Sequence, residues 1–293
     1  MGILLGLATA LCWGSADMFA RFAARKIGTV HTMLYMQLTG FALLTLAMPA
    51  LGGWGHLADG SGWRPWAWGL LAGVLNTSST LALYRSFEIG KLSVVAPLSA
   101  SYPALTTLLA ALTGERLTRL RFAGIALIMV GVFVVARGER IPDDANLGEK
   151  TRPGTRMLGV GWALFSAAGF GVMFWLLGMR VVPLLGSAPS VWLIRLASVV
   201  MTTAVVLILR QPFALPGARA NRWVVGVGIL DTSAYLLNNY GMQREQVSVV
   251  SVLASMYGAV TAALAAIFLR EHISRAQWIG VVSIFAGIFL ISR

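Results

Sequence analysis

Charge is what this chain has least of. Asp, Glu, Lys and Arg make up 12% of its 293 residues, while hydrophobic residues make up 57%. That is about half the charge of an ordinary soluble domain, and mean hydropathy is strongly positive. A soluble protein of this length could not cover its surface. Cysteine is nearly absent too. The single Cys12 lies inside the first apolar stretch, so no internal disulfide exists. Histidine is confined to His31, His56 and His272, all at the edges of apolar stretches. With no Cys/His cluster, no HExxH and no GxSxG, neither a metal site nor an intramembrane hydrolase constellation is expected. Gly90-Lys91-Leu92 lacks the glycine pattern and the Ser/Thr of a Walker A loop, which argues against ATP drive within this chain. The expectation is no enzyme and no cofactor.

What remains is apolar sequence in lengths that match a bilayer. Ten stretches recur, at about 3–20, 32–51, 66–84, 94–112, 121–136, 157–177, 190–209, 223–241, 249–269 and 277–291. A helix needs about 20 residues to cross the hydrocarbon core. The stretches lack period-two alternation and are too long for strands. The predicted fold class is therefore all-α: a polytopic membrane protein with ten transmembrane helices. The net charge of +12 sits in the short connectors, where it meets lipid headgroups rather than nucleic acid. The start, Met1-Gly2-Ile3-Leu4, lacks a basic n-region, so the first stretch is expected to be a retained span rather than a signal peptide.

The second half repeats the first. Trp68, Gly73, Asn76, Thr77 and Ser78 correspond to Trp223, Gly228, Asp231, Thr232 and Ser233 at an offset of 155. The match runs on through Ser93/Ser248, Tyr102/Tyr257 and Thr106/Thr261, then slips by one to pair Glu115 with Glu271, Gly124 with Gly280 and Gly131 with Gly287. The chain divides into a first five-helix repeat at 1–137, a polar connector at 138–156 and a second repeat at 157–293. Five is odd, so the second repeat enters the membrane from the opposite face. Ser93 and Ser248 then lie on opposite sides, and an inverted repeat places a binding site at its interface near the midplane. Both termini fall on one side. With them cytoplasmic, 7 Lys/Arg lie inside and 15 outside, a count that prefers the reverse orientation.

Gly124 and Gly131 are two helical turns apart and share a face, as do Gly280 and Gly287, which predicts close helix packing. Pro97 and Pro103 are expected to break the fourth span. Three charges fall within spans. Asp17 has Arg21 one turn on, and an interfacial ion pair would account for both. Arg195 either neutralises an acid, snorkels or binds a ligand. Asp231 lies too deep to snorkel; it is either a structural hydrogen-bonding group or a functional acid. Asp231, Tyr235 and Asn239 share one helix face, and so do their counterparts Asn76, Thr80 and Tyr84. Two such faces are expected to enclose a shared polar cavity or else to bond to neighbouring helices. Tyr102 and Tyr257 add a second pair, Asn238 a further amide, and Trp13, Trp162 and Trp175 are candidates for stacking on a substrate. Trp63, Trp66, Trp223 and Trp278 read as interface anchors.

Gly114-Glu115-Arg116-Leu117-Thr118, Gly124 and Gly131-Val132 close the first repeat; Arg270-Glu271-His272-Ile273-Ser274, Gly280 and Gly287 close the second. With Val95-Ala96-Pro97-Leu98, the chain resembles the EamA-type ten-helix branch of the drug/metabolite transporter superfamily, and within it the exporters of aromatic amino acids. The resemblance implies cytoplasmic termini, a bacterial inner membrane, a central cavity between inverted repeats, and export of amino acids or other metabolites. Small-molecule substrate and membrane lipid are the expected partners, with no nucleic acid and no obligate protein partner. Efflux of lipophilic cations, with Asp231 as counter-charge, is the rival reading; a non-transporting membrane scaffold is a third.

Overall fold

The computed structural model describes all residues except 52, 58–61, 114–117, 139–152, 214–215, 245–246, 271–273 and 292–293. The repeat-end residues Glu115 and Glu271 and most of the polar connector lie outside the described residues. The chain is all-α, with no strand among the described residues. Ten spans follow in order: Gly2–Ile27, Thr29–Ala47, Arg64–Ile89, Leu92–Ser99 with Pro103–Leu112, Arg119–Gly138, Pro153–Leu176 continued to Leu185, Ser187–Ile208, Ala218–Met242, Val247–Ser255 with Tyr257–Phe268, and Arg275–Ile291. A short helix, Trp54–Leu57, precedes the third.

The outer surface is apolar. Leu46, Leu112, Ile208 and Phe268 are among many large hydrophobic side chains left exposed, which suits lipid rather than water. The polar residues point inward. The third and eighth spans, Arg64–Ile89 and Ala218–Met242, are long enough to cross a membrane but are missing from the six most apolar spans. Their polarity is buried: Asn76, Thr77, Ser79 and Thr80 on one, Thr232, Asn238 and Asn239 on the other.

The two repeats interlock rather than sit side by side. The first span packs on the eighth and ninth, and the sixth packs on the third and fourth. Equivalent contacts fix the correspondence. Thr106 Oγ1 donates to the Gly171 carbonyl at 3.0 Å, and Thr261 Oγ1 points at the Gly14 carbonyl at 3.4 Å. Since 261 − 106 is 155 and 171 − 14 is 157, the first and sixth spans align at an offset of 157. At their far ends the offset is 158: Gly28 and Gly186, each at φ 80, link the first span to the second and the sixth to the seventh. With extended ψ, this backbone region is open only to glycine. The extra residue is absorbed by a π-helical turn at Leu177–Val181 in the sixth span, where one inserted residue is accommodated without ending the helix.

Both central helices are broken. The fourth span breaks at Ala100–Tyr102, before Pro103, as its prolines imply. The ninth breaks at Met256 without any proline. Ser101 and Ser255 turn their hydroxyls back onto the carbonyls three residues earlier, Leu98 and Val252, each at 2.7 Å. This competition with the helix ladder bends helices. The fifth and tenth spans cross through their glycines. A methyl group on Gly131 would lie 2.7 Å from the Gly280 carbonyl oxygen, and one on Gly287 would lie 2.6 Å from that of Gly124. The reciprocity is that of a pseudo-two-fold axis.

Candidate functional site

The broken fourth and ninth spans, with the first, third, sixth and eighth, enclose a central cavity. It is lined by Trp13, Ala16 and Asp17 of the first span, Thr80, Leu83 and Tyr84 of the third, and Tyr102 of the fourth. The sixth adds Phe170 and Phe174, the eighth Asp231 and Tyr235, and the ninth Tyr257. About 40 Å³ is open to the centre of a water molecule, enough for roughly three waters.

Its walls are pairs of repeat equivalents made unlike. Trp13 stands opposite Phe170 and Asp17 opposite Phe174 by the 157 offset. Asn76 answers Asp231 and Thr80 answers Tyr235 by the 155 offset. Only Tyr102 and Tyr257 are identical. Their hydroxyls reach across the break region in both directions: Tyr102 donates to the Ser251 carbonyl (3.1 Å) and Tyr257 to Ser99 Oγ (3.5 Å). Phe174 stacks on Tyr102 at 4.7 Å between centroids. Trp13 meets Phe174, Tyr235 and Tyr257 edge-on at 5.6, 5.2 and 6.0 Å. Such pairs hold ring positions as well as burying area.

Beside this aromatic box lies a polar network. Asp231 accepts from Trp13 Nε1–H on Oδ1 (3.0 Å) and from Arg195 Nη2 on Oδ2 (2.6 Å). Arg195 is fully buried, donates from Nη1 to Gln37 Oε1 at 2.6 Å and lies 5.2 Å from the Tyr235 ring centroid. Arg195 thus neutralises an acid and, with no exposed surface, does not snorkel. Gln37 is the repeat counterpart of Arg195. The carbonyls of Met36 and Ile194 flank Gly228 and Gly73 equivalently, which sets the offset of the second and seventh spans at 158. An arginine and its own counterpart therefore touch near the pseudo-two-fold axis. Tyr235 donates to Asn76 Oδ1 (2.6 Å), and Asn76 Nδ2 and Thr77 Oγ1 both donate to Ser198 Oγ (3.2 and 2.8 Å).

Asp17 accepts from Thr261 Oγ1 at 2.9 Å. Arg21, one turn on, donates to the carbonyls of Phe87 (2.5 Å) and Gly90 (2.7 Å) at the end of the third span.

Of the residues singled out from sequence, Trp13, Thr80, Tyr84, Tyr102, Asp231, Tyr235 and Tyr257 come together at the cavity, with Asn76 behind Tyr235. Four lie elsewhere. Trp162 is 41% exposed on the outer face, edge-on to Phe165. Trp175 donates to Thr113 near the end of the fourth span. Asn238 contacts Asn239 and Met242, and Asn239 donates to the Ser187 carbonyl (3.4 Å), both buried away from the cavity. Asp17, Phe170 and Phe174 are cavity residues that the stripe on the eighth span does not reveal. Their signal is the spacing of Trp13 and Asp17, i and i+4, which puts both on one face.

A buried cavity lined by aromatic rings and two carboxylates, between two repeats that span the membrane, suits a small-molecule transporter. The chain belongs to the EamA-like transporter family, whose model matches residues 1–137 and again residues 157–293. It is similar to the uncharacterized protein MJ1333.1 of Methanocaldococcus jannaschii, at 27% identity over 135 residues. That alignment covers 46% of this chain and 95% of the archaeal protein, so the relative has about the length of one repeat. A crystal structure of a protein shares the fold, with a TM-score of 0.69 at 19% identity over 99% of this chain and 95% of the other.

Proposed function

We propose that this protein is a secondary transporter that exports amino acids, aromatic and other apolar ones preferred, by alternating access through the central cavity. The observation that carries the reading is the cavity wall: seven aromatic rings, from Trp13, Tyr84, Tyr102, Phe170, Phe174, Tyr235 and Tyr257, with carboxylates at Asp17 and Asp231. Rings take the apolar side chain, and a carboxylate takes the ammonium group. The substrate carboxylate falls to tyrosine and threonine hydroxyls. With the termini cytoplasmic, in a bacterial inner membrane, the direction is outward.

Efflux of lipophilic cations is the second reading, favoured by a cavity lining that holds two carboxylates, Asp17 and Asp231, and no basic side chain among the described residues. Asp231 suits it poorly as counter-charge, since both its oxygens are engaged by protein donors. Counterflow in proteoliposomes separates the readings. Vesicles preloaded with phenylalanine are expected to take up labelled phenylalanine, tryptophan and leucine and to exclude cationic dyes. Dye exchange without amino acid exchange would overturn the assignment, and no exchange of any compound would favour a scaffold.

A further inference from the structure

The two carboxylates in the cavity are not equivalent. Asp231 has a donor on each oxygen, Trp13 on one and Arg195 on the other. It is held as half of an ion pair. Asp17 is 6% exposed and accepts only from Thr261, on Oδ2, among the described residues. Its side chain lines the cavity. Arg21 on the same helix donates to the backbone at Phe87 and Gly90. The other polar or titratable groups on the same cavity wall are Thr80 and Tyr84 of the third span, Tyr102 of the fourth, Asp231 and Tyr235 of the eighth and Tyr257 of the ninth. The sixth span contributes only Phe170 and Phe174. Arg195 of the seventh is committed to Asp231 and Gln37.

A carboxylate among aromatic rings, with a single hydroxyl for support, is costly as a bare anion. It requires a cation, and two can reach it from the cavity. We propose that Asp17 is the cation site of the transport cycle, occupied in turn by the primary ammonium group of the outgoing substrate and by a proton. The inference rests on the reading that the substrate carries an amino group. Because one carboxylate serves both cations, substrate binding releases a proton and proton binding releases substrate. Transport is then an exchange of amine for proton. The site selects amino acids and primary amines over the deaminated acids of the same shape. The repeat counterpart of Asp17 is Phe174, so the chain has one such site, not a symmetric pair.

The test uses the full chain in detergent, with phenylalanine, phenethylamine and phenylpropionate as ligands in weakly buffered solution containing a pH indicator. Wild type is expected to release up to one proton per bound phenylalanine or phenethylamine, with apparent affinity rising by up to about tenfold per pH unit where the proton competes. Asp17→Asn is expected to lose proton release, to bind both amines at least about tenfold more weakly and to give a flat pH profile; Asp17→Glu is expected to retain release. Amine binding with undiminished proton release in Asp17→Asn overturns the inference and leaves the proposed function standing. Failure of wild type to bind phenylalanine while binding phenethylamine overturns amino acid export and leaves the cation site standing. Should Asp17→Asn not fold, Thr261→Val removes the one hydroxyl donor. It is expected to displace the pH profile of amine binding, and an unmoved profile overturns the inference.

Discussion

Arg195→Gln is expected to abolish most of the folded protein, and Arg195→Gln combined with Asp231→Asn to restore it. Arg195 has no exposed surface and its partner carboxylate is only 14% exposed. Removing one member of a buried pair leaves the other charge stranded, at a cost of about 3–5 kcal/mol. Removing both converts the second repeat to the chemistry the first already uses, since Gln37 and Asn76 are the counterparts of Arg195 and Asp231. Neutral amides at those positions are compatible with the backbone. The expected readout is the melting temperature of detergent-purified protein: low for the single variant, near wild type for the double. A double variant as unstable as the summed singles would mean that the two residues do not act as a unit.

The second large effect is expected at the crossing of the fifth and tenth spans. Gly131→Val would drive its side chain against the Gly280 carbonyl and Ile284. That contact is backbone, so the helices must separate along their length. Overpacking of this kind costs about 1–3 kcal/mol, and association here depends on close packing rather than on exclusion of water. Gly287→Val should do the same from the other repeat, against Gly124 and Ile128. Gly161→Val is the control, because its site on the sixth span is open. Equal melting temperatures for Gly131→Val and Gly161→Val would contradict the packing described.

What the sequence disclosed follows from how the repeats drifted. The third and eighth spans keep a fixed offset of 155, so their polar stripes are visible by comparison alone, and the glycines of the fifth and tenth spans are visible for the same reason. The first and sixth spans share few residues, and the π-turn at Leu177–Val181 shifts their register in mid-helix. Hence the pairing of Trp13 with Phe170 and of Asp17 with Phe174 emerges only from matched hydrogen bonds. Spacing also misdirects. Asp17 and Arg21 are a plausible interfacial pair by sequence, yet Asp17 faces the cavity and Arg21 reaches the end of the third span. Trp175 lies next to the cavity residue Phe174 but on another face of the helix, and Trp162 lies about two turns before Phe170 on the outer face. Depth follows from counting residues; rotation follows from neighbours.

Alternating access requires that one cavity open to each side of the membrane in turn. Labelling Thr80→Cys, in a Cys12→Ser background, tests it directly. Thr80 lines the cavity and is 6% exposed, so an impermeant thiol reagent reaches it through the cavity. In proteoliposomes the reagent is expected to label the cysteine when added to either side, and saturating phenylalanine is expected to slow labelling from both. Labelling from one side alone would contradict alternating access through this cavity.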